Sequence, residues 1–257
     1  MSGVALVTGA ARGIGAATVR ALAADGWEVI AVDRAADDPR LPYAMGSRAE
    51  LEALAGERVT TAVADVTDRT ALAGVVAQAQ ERHGGLDAVI AAAGVVAGGV
   101  PLWEMDEDAL DAVIDVNLLG VIAAARAGIP ALLHRPKPRA GRFIAISSVA
   151  ALRGLPMLAA YCAAKAGVSG LVRGLAADLR GTGVTANAIC PGSTRTPILE
   201  ESARLYGLPS SAAFADQQPI ERLIEPEEVA SFIAWLAGPG GAAFTGAEIP
   251  VDGGLSV

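Results

Sequence analysis

Short apolar runs alternate with longer stretches of helical periodicity along the chain. The runs are bounded by glycine or polar residues and are too short for helices, so we interpret them as buried strands. They cover residues 4–7, 29–32, 59–63, 86–91, 143–146, 184–189 and 248–251. Because strands and helices alternate throughout, the pattern predicts one domain over residues 1–257, an α/β doubly wound fold with a mostly parallel seven-stranded sheet.

The segments between the strands predict helices over residues 16–26, 48–54, 68–83, 105–133 and 161–180, and from 225 onward. Asn117 falls in the middle of the longest one, where its amide is unfavourable unless it has hydrogen-bond partners. The alternative is an asparagine on the surface. Residues 198–223 lack a clear period and are a candidate lid.

The composition is that of a globular chain with a large core. Of 257 residues, 53% are hydrophobic and 19% charged, and the net charge of −8 argues against a nucleic-acid surface. Cys162 and Cys190 make no disulfide framework and are interpreted as small core residues. We see no signal peptide, no apolar run of about 18 residues and no metal-ligand spacing. We therefore expect a cytoplasmic protein without a membrane span or a metal.

A glycine-rich turn separates the first strand from the first helix. Gly9, Gly13 and Gly15 let the backbone approach a pyrophosphate, and the helix N-terminus supplies free amides and a positive dipole. Arg12 and Ile14 lie in the same turn. Because the spacing differs from the common G-x-G-x-x-G, a loose glycine cluster without a ligand stays open as the alternative.

The second strand ends in Asp33, which bears on the choice of cofactor. An acid about 20 residues past such glycines is where the ribose hydroxyls of NAD are held. Arg12 could instead pair with the 2′-phosphate of NADP, but Asp33 would repel that phosphate at close range. We therefore predict NAD rather than NADP.

Two further strand ends carry candidate binding residues. Asp65 and Val66 follow the third strand, where an adenine could sit. Ala92, Ala93 and Gly94 follow the fourth strand, and side chains this small let a ligand lie against the backbone. Ordinary tight packing would use the same small residues.

The candidate chemistry lies at Tyr161 and Lys165, four positions apart and therefore on one face of a helix. A lysine charge beside a phenol favours the phenolate, so we expect the tyrosine pKa to fall below its usual value of about 10. Ser147 and Ser148 close the strand upstream of this helix. A hydroxyl at a strand end followed by such a pair is a plausible acid–base centre.

Taken in order, these motifs resemble the short-chain dehydrogenase/reductase family, a Rossmann-type fold, over essentially the whole chain. The matching positions are Thr8, Gly9, Gly13, Gly15, Asp65, Val66, Ala91 to Gly94, Asn117, Ser148, Tyr161, Lys165, Pro191, Gly192 and Thr196. One departure is Ala91-Ala92, where the family more often has Asn-Asn. We expect the adenosine side to pack with fewer polar contacts there.

The resemblance implies a role for each catalytic residue. Tyr161 would be the general acid/base, Lys165 would lower its pKa and hold the nicotinamide ribose, and Ser148 would hydrogen-bond the substrate oxygen. Asn117 would hold a water linking Lys165 to solvent. The loop of Pro191, Gly192, Thr194 and Thr196 would bind cofactor, with Thr196 on the carboxamide.

Several stretches also look like the dehydrogenase subgroup linked to mycofactocin, among them residues 33–51 and PGSTRTPIL. In that group NAD stays bound and is reoxidised by an external acceptor. Residues 41–45 are apolar within a long connection that leaves Asp33, and loops of this length are usually functional or disordered. We hypothesise that they fold over the adenosine end and slow NAD release. The alternative is a surface excursion that packs on a neighbouring helix.

The sequence thus predicts an NAD-dependent oxidoreductase that interconverts a secondary alcohol and a ketone, with pocket walls from residues 152–157 and 198–214. The alternatives are an NADP-dependent ketone reductase and a non-catalytic dinucleotide-binding sensor. Because helices 105–133 and 161–180 are apolar nearly all round, we also predict a homo-oligomer, and the resemblance implies a homotetramer.

Overall fold

The computed structural model describes residues 3–257 and contains a seven-stranded parallel sheet, as the alternating pattern predicts. The strands are β1 (Val4–Thr8), β2 (Glu28–Asp33), β3 (Val59–Val63), β4 (Ala88–Ala91), β5 (Arg142–Ile146), β6 (Thr185–Pro191) and β7 (Glu248–Val251). Their order is β3-β2-β1-β4-β5-β6-β7. The order reverses between β1 and β4, and ligands of such sheets bind in the crevice outside the strand ends at this point.

Helices cover both faces of the sheet and bury a separate apolar cluster on each. They are α1 (Gly13–Ala24), α2 (Arg48–Glu52), α3 (Arg69–His83), α4 (Glu107–Ile114), α5 (Gly120–His134), α6 (Ala159–Asp178), α7 (Pro197–Leu205) and α8 (Pro226–Ala237). The predicted capping box is present, with Ser47 and Glu50 satisfying each other's backbone amides. Cys190 is buried as predicted, whereas Cys162 is only partly buried.

The longest predicted helix is correct in extent but not continuous in geometry. A turn of π-helix over Asp115–Leu119 separates α4 from α5. Asn117 lies in it, fully buried, and its amide group bonds the backbone of Val95 and Val113. The partners required by a buried asparagine are therefore present. The run Glu107–His134 is long and apolar enough to cross a membrane, but more than half of its most apolar window is buried inside the fold.

The connection between β2 and α2, residues 34–47, is an ordered segment that we call the strap. Leu41 and Met45 are buried among apolar residues that include Val66 and Val113. The buried Asp38 fastens the start of this segment, because it accepts hydrogen bonds from Arg34 and Arg40. Arg40 also donates to Asp115, 2.8 Å away, at the start of the π turn. The strap therefore packs on the neighbouring helix α4 and on the π turn.

Candidate active site

A cleft of about 670 Å³ lies across the carboxyl ends of the strands. This volume falls within the range of about 300–1,000 Å³ typical of small-molecule and cofactor sites. The cleft has an acidic end, lined by the glycine turn, Asp33 and Asp65, where β2 and β3 finish. Its apolar end is lined by Leu155, Pro156, Tyr206, Phe214 and Leu255.

The structure brings nearly all predicted site residues to this one cleft. The lining includes Gly9, Arg12, Gly13, Ile14, Gly15, Asp33, Asp65, Val66, Ala92, Ala93, Gly94, Ser148, Tyr161, Lys165, Pro191, Gly192, Thr194 and Thr196. Asn117 does not line it, because its side chain lies behind Gly94. A Cβ built on Gly94 would be 3.1 Å from Asn117 Oδ1 and 3.6 Å from Lys165 Nζ, so these three residues adjoin.

The glycine turn forms a cradle in which larger residues do not fit. A Cβ on Gly9 would come within 2.5 Å of the Ala93 backbone, and one on Gly15 within 2.0 Å of the Gly9 carbonyl oxygen. Gly13 adopts φ +56°, and its missing Cβ would contact the Thr196 methyl at 3.3 Å. Bare backbone in front of the α1 N-terminus fits a pyrophosphate, which accepts amide hydrogen bonds and is favoured by the helix dipole.

Asp33 is fixed by two backbone amides at the acidic end. Its Oδ2 accepts from Ala11 N (3.1 Å) and its Oδ1 from Ala35 N (2.9 Å). A carboxylate has about four lone-pair sites, so it can still accept the hydroxyls of a ribose. The neighbouring Arg34 is not free for a phosphate, because it pairs with Asp38 at 2.8 Å and Asp65 at 3.5 Å.

The candidate catalytic residues meet between β5 and α6. Ser148 caps the short 3-10 helix Val149–Ala151 with its hydroxyl, which accepts from Ala150 N. Tyr161 lies on the first turn of α6, and Lys165 follows one turn later in a buried position. Lys165 Nζ is 5.6 Å from the centroid of the Tyr161 ring. The helical spacing therefore places both side chains in one site, as predicted.

The pKa values of this pair differ from the sequence prediction. Burial raises the pKa of Tyr161 to about 12, while the Ser148 hydroxyl acts in the opposite direction. Burial lowers the pKa of Lys165 to about 8. Lys165 donates to the Ile146 carbonyl oxygen at 2.9 Å, and its charge does not outweigh the desolvation of the phenol. The prediction of a lowered tyrosine pKa was therefore wrong for the protein without ligand.

The loop after β6 is shaped by its own hydrogen bonds. Thr196 is the N-cap of α7, and its hydroxyl accepts from Leu199 N and donates to the Thr194 carbonyl. The buried Gln218 holds the same loop, since its side chain bonds both the amide and the carbonyl of Ser193. The predicted lid region thus begins as a helix, and Tyr206 at its end donates to the Pro156 carbonyl across the apolar end.

Sequence reasoning found the walls at residues 152–157 and 198–214 but missed several lining residues. Arg34, Gly46, Gln217 and Leu255 also line the cleft. Leu255 reaches it because Gly253 and Gly254, both with positive φ, fold the C-terminal tail back. That glycine pair was a usable signal, whereas nothing local marked Gln217.

Known proteins match this chain over nearly its whole length. A family model described as enoyl-(acyl carrier protein) reductase matches residues 9–256. The chain is 40% identical over 255 residues to cis-4-hydroxycyclohexanecarboxylate dehydrogenase of Sinomonas cyclohexanicum, covering 98% of this chain and 96% of that one. It is 36% identical to 3-oxoacyl-(acyl-carrier-protein) reductase of Thermotoga maritima, covering 99% and 98%. Carveol dehydrogenase from Mycobacterium avium, solved with NAD, superposes with a TM-score of 0.92 at 30% identity, covering 98% and 97%.

Proposed function

Because the chain belongs to the short-chain dehydrogenase/reductase family, we propose that it transfers a hydride between NAD and a secondary alcohol or ketone. The observation that carries the proposal is the meeting of Ser148, Tyr161 and Lys165 in a cleft whose other end is a glycine cradle. NAD would supply the hydride acceptor. Two relatives named for cyclic alcohols, a hydroxycyclohexanecarboxylate and carveol, favour a ring-bearing substrate.

The protein's own groups would manage the proton. Tyr161 is a neutral phenol near pH 7, because burial raises its pKa, so it can donate a proton to a carbonyl oxygen. In the reverse direction its phenolate would accept the proton of the alcohol. The Ser148 hydroxyl would orient that oxygen. Burial lowers the pKa of Lys165 to about 8, so it is still a cation near pH 7 and would hold the nicotinamide ribose, with Asn117 behind it. General acid–base catalysis of this kind contributes about 10²–10⁴-fold in rate.

NAD is proposed over NADP because of the charges at the acidic end. Asp33 lines the cleft with its carboxylate anchored, and a 2′-phosphate beside it would be repelled. Arg12 is the competing feature, because it has no carboxylate within 4 Å among residues 3–257. The preference for NAD or NADP therefore depends on the opposing effects of Asp33 and Arg12 on a 2′-phosphate.

The strap is proposed to retain the cofactor, in keeping with the resemblance to mycofactocin-linked dehydrogenases and their external redox acceptor. Met45 and Gly46 line the cleft beside Asp33, and a Cβ on Gly46 would be 3.4 Å from Asp33 Oδ1. Tyr43 faces Thr196 and Pro197 across a smaller hollow. The strap and the loop after β6 thus lie on opposite sides of the glycine turn. Bound nucleotide that persists after dialysis would support retention, and fully nucleotide-free protein would contradict it.

A homotetramer is proposed on the apolar surface that the single chain leaves exposed. Leu119 on the π turn, Trp103 and Trp235 are all substantially exposed, and such residues commonly mark interfaces. Light scattering should give a mass near four chains. A mass near one chain at micromolar concentration would contradict this assembly.

The test of the proposed activity is a screen of secondary alcohols and ketones that follows NADH absorbance. We expect turnover of at least one cyclic alcohol or ketone with NAD or NADH, and its loss in Tyr161→Phe. A wild-type protein that binds NAD but turns over nothing in either direction would favour the non-catalytic sensor.

A further inference from the structure

Charged side chains are distributed unevenly along the cleft. Its acids, Asp33 and Asp65, both lie at the acidic end, and no Asp or Glu lines the apolar end among residues 3–257. Of the lining cations, Arg34 pairs with two carboxylates, Arg12 lies in the glycine turn and Lys165 lies beside Tyr161. The remaining cation is Arg153, which lines the cleft with the residues of the apolar end.

Arg153 lies close to the reacting groups. Its amide bonds the Val149 carbonyl at 3.0 Å, so the chain from Ser148 to Arg153 is one compact turn. Ser148 and Arg153 are thus separated by only four residues of tightly folded chain. An arginine side chain on that turn can reach one end of a small substrate while the other end contacts Ser148.

The guanidinium of Arg153 is anchored but has free donors. One nitrogen, Nη1, donates to the Leu255 carbonyl oxygen at 2.8 Å, which holds the group against the tail at the apolar end. A guanidinium has five N–H donors, so most remain available. No carboxylate lies within 4 Å of it in the described part of the chain. The side chain is exposed, and its charge is therefore accessible to a ligand.

The apolar surroundings give this charge its selectivity. Leu155, Pro156 and Phe214 offer no other charge to an anion, while the net charge of −8 disfavours anions elsewhere on the protein. Hydrogen bonds between a guanidinium and a carboxylate are stronger than neutral ones and are frequently bidentate. At the apolar end, a carboxylate remote from the reacting carbon would therefore find a matching partner in Arg153.

We propose that Arg153 binds a carboxylate of the substrate, so that the site selects secondary alcohols and ketones that are also carboxylic acids. This inference rests on the proposed function, because it assigns the substrate class of the same site. Arg153 is thus a specificity-determining residue and takes no part in hydride or proton transfer.

The test compares 4-hydroxycyclohexanecarboxylate with its neutral carboxamide in wild type, Arg153→Met and Arg153→Lys. Arg180→Met is the matched control, because Arg180 is exposed at the end of α6 and does not line the cleft. We expect Arg153→Met to raise KM for the carboxylate about tenfold and KM for the carboxamide much less, because the neutral amide loses only an uncharged hydrogen bond. Arg153→Lys should restore part of the loss, and Arg180→Met should behave as wild type.

Each other outcome has a definite meaning. If Arg153→Met raises KM for both substrates equally, Arg153 only anchors the tail through Leu255 and the inference is wrong. If wild type prefers the carboxamide, the inference is wrong while the proposed activity stands. If neither compound is turned over, calorimetric titration with cyclohexanecarboxylate decides, and equal affinity in wild type and Arg153→Met overturns the inference independently of activity.

Discussion

The acidic and apolar ends of the cleft differ in the forces that shape them. At the acidic end, backbone amides and paired charges hold Asp33, Arg34 and Asp65 in place. At the apolar end, side chains from distant segments meet. Tyr206, for example, packs edge-to-face against Phe214 and donates a hydrogen bond to the Pro156 carbonyl. The acidic end is formed at strand ends and suits a ligand that is the same in every reaction, such as a cofactor. The apolar end depends on side-chain identity and can vary with the substrate.

The largest expected effect separates chemistry from cofactor binding. Tyr161→Phe keeps the ring but removes the group that exchanges a proton, so kcat should fall by about 10²-fold or more. NADH affinity, measured by fluorescence titration, should stay within about twofold because the acidic end is untouched. A phenylalanine variant that retains near wild-type turnover would remove Tyr161 from the mechanism.

The next prediction concerns Lys165, the buried lysine beside Tyr161 in the cleft. Its pKa is lowered to about 8 in the fold from 10.5, so between these pH values the unfolded chain binds more protons than the native protein. Stability contributed by this residue should therefore rise with pH across that window, by an amount on the order of 3 kcal/mol. The free energy of unfolding, measured with urea on nucleotide-free protein, should therefore rise with pH in wild type relative to Lys165→Met between pH 8 and 10.5. A constant difference between the two would mean that Lys165 is not desolvated.

A smaller effect is expected at the acidic end alone. Wild type should bind NAD at least about tenfold more tightly than NADP, and Asp33→Ala should narrow that gap because Arg12 can then contact the 2′-phosphate. Asp25→Ala removes an exposed acid beyond the end of α1 and should leave the preference intact. Titration of both cofactors into protein freed of nucleotide measures it. Tighter binding of NADP by wild type would reverse the assignment.

The smallest effect tests the strap through a matched pair. Leu41 and Met45 are similarly buried in the same cluster, but Met45 alone lines the cleft. Both alanine variants should lose stability, while Met45→Ala should raise the NADH off-rate by several-fold, for a lost contact of about 1 kcal/mol. Stopped-flow release of NADH reports this. Equal NADH off-rates in the two variants would mean that the strap packs on the surface without retaining the cofactor.

The sequence allowed the sheet, the glycine turn and the Tyr161–Lys165 pair to be predicted because each follows from a local pattern. The period of the apolar runs predicts the strands, and a four-residue spacing on a helix places two side chains together. The π turn at Asn117 escaped prediction because it changes the hydrogen bonding within an otherwise continuous helical pattern. The predicted fall in the Tyr161 pKa was wrong because the pKa also depends on desolvation in the packed fold, and not on the neighbouring charge alone.

Some lining residues could not be assigned from the sequence, although the predicted walls at residues 152–157 and 198–214 contain most of the apolar end. Gln217 and Leu255 reach the cleft only through the path of the chain after β6 and β7, which no local pattern encodes. Arg153 lay within a predicted wall, yet its role depends on which charges remain unpaired in the folded cleft. Local patterns therefore predicted most residues at both ends of the cleft, whereas the remaining lining residues depend on tertiary packing.

The most direct test of the central claim follows the hydride itself. NADH labelled with deuterium at the reactive C4 position would be incubated with the protein and 4-oxocyclohexanecarboxylate or a neutral cyclic ketone, with Tyr161→Phe as control. We expect an alcohol carrying deuterium at the carbinol carbon, detected by mass spectrometry, and little product from the variant. Consumption of the ketone without label in the alcohol, or no alcohol from any ketone tested, would contradict it.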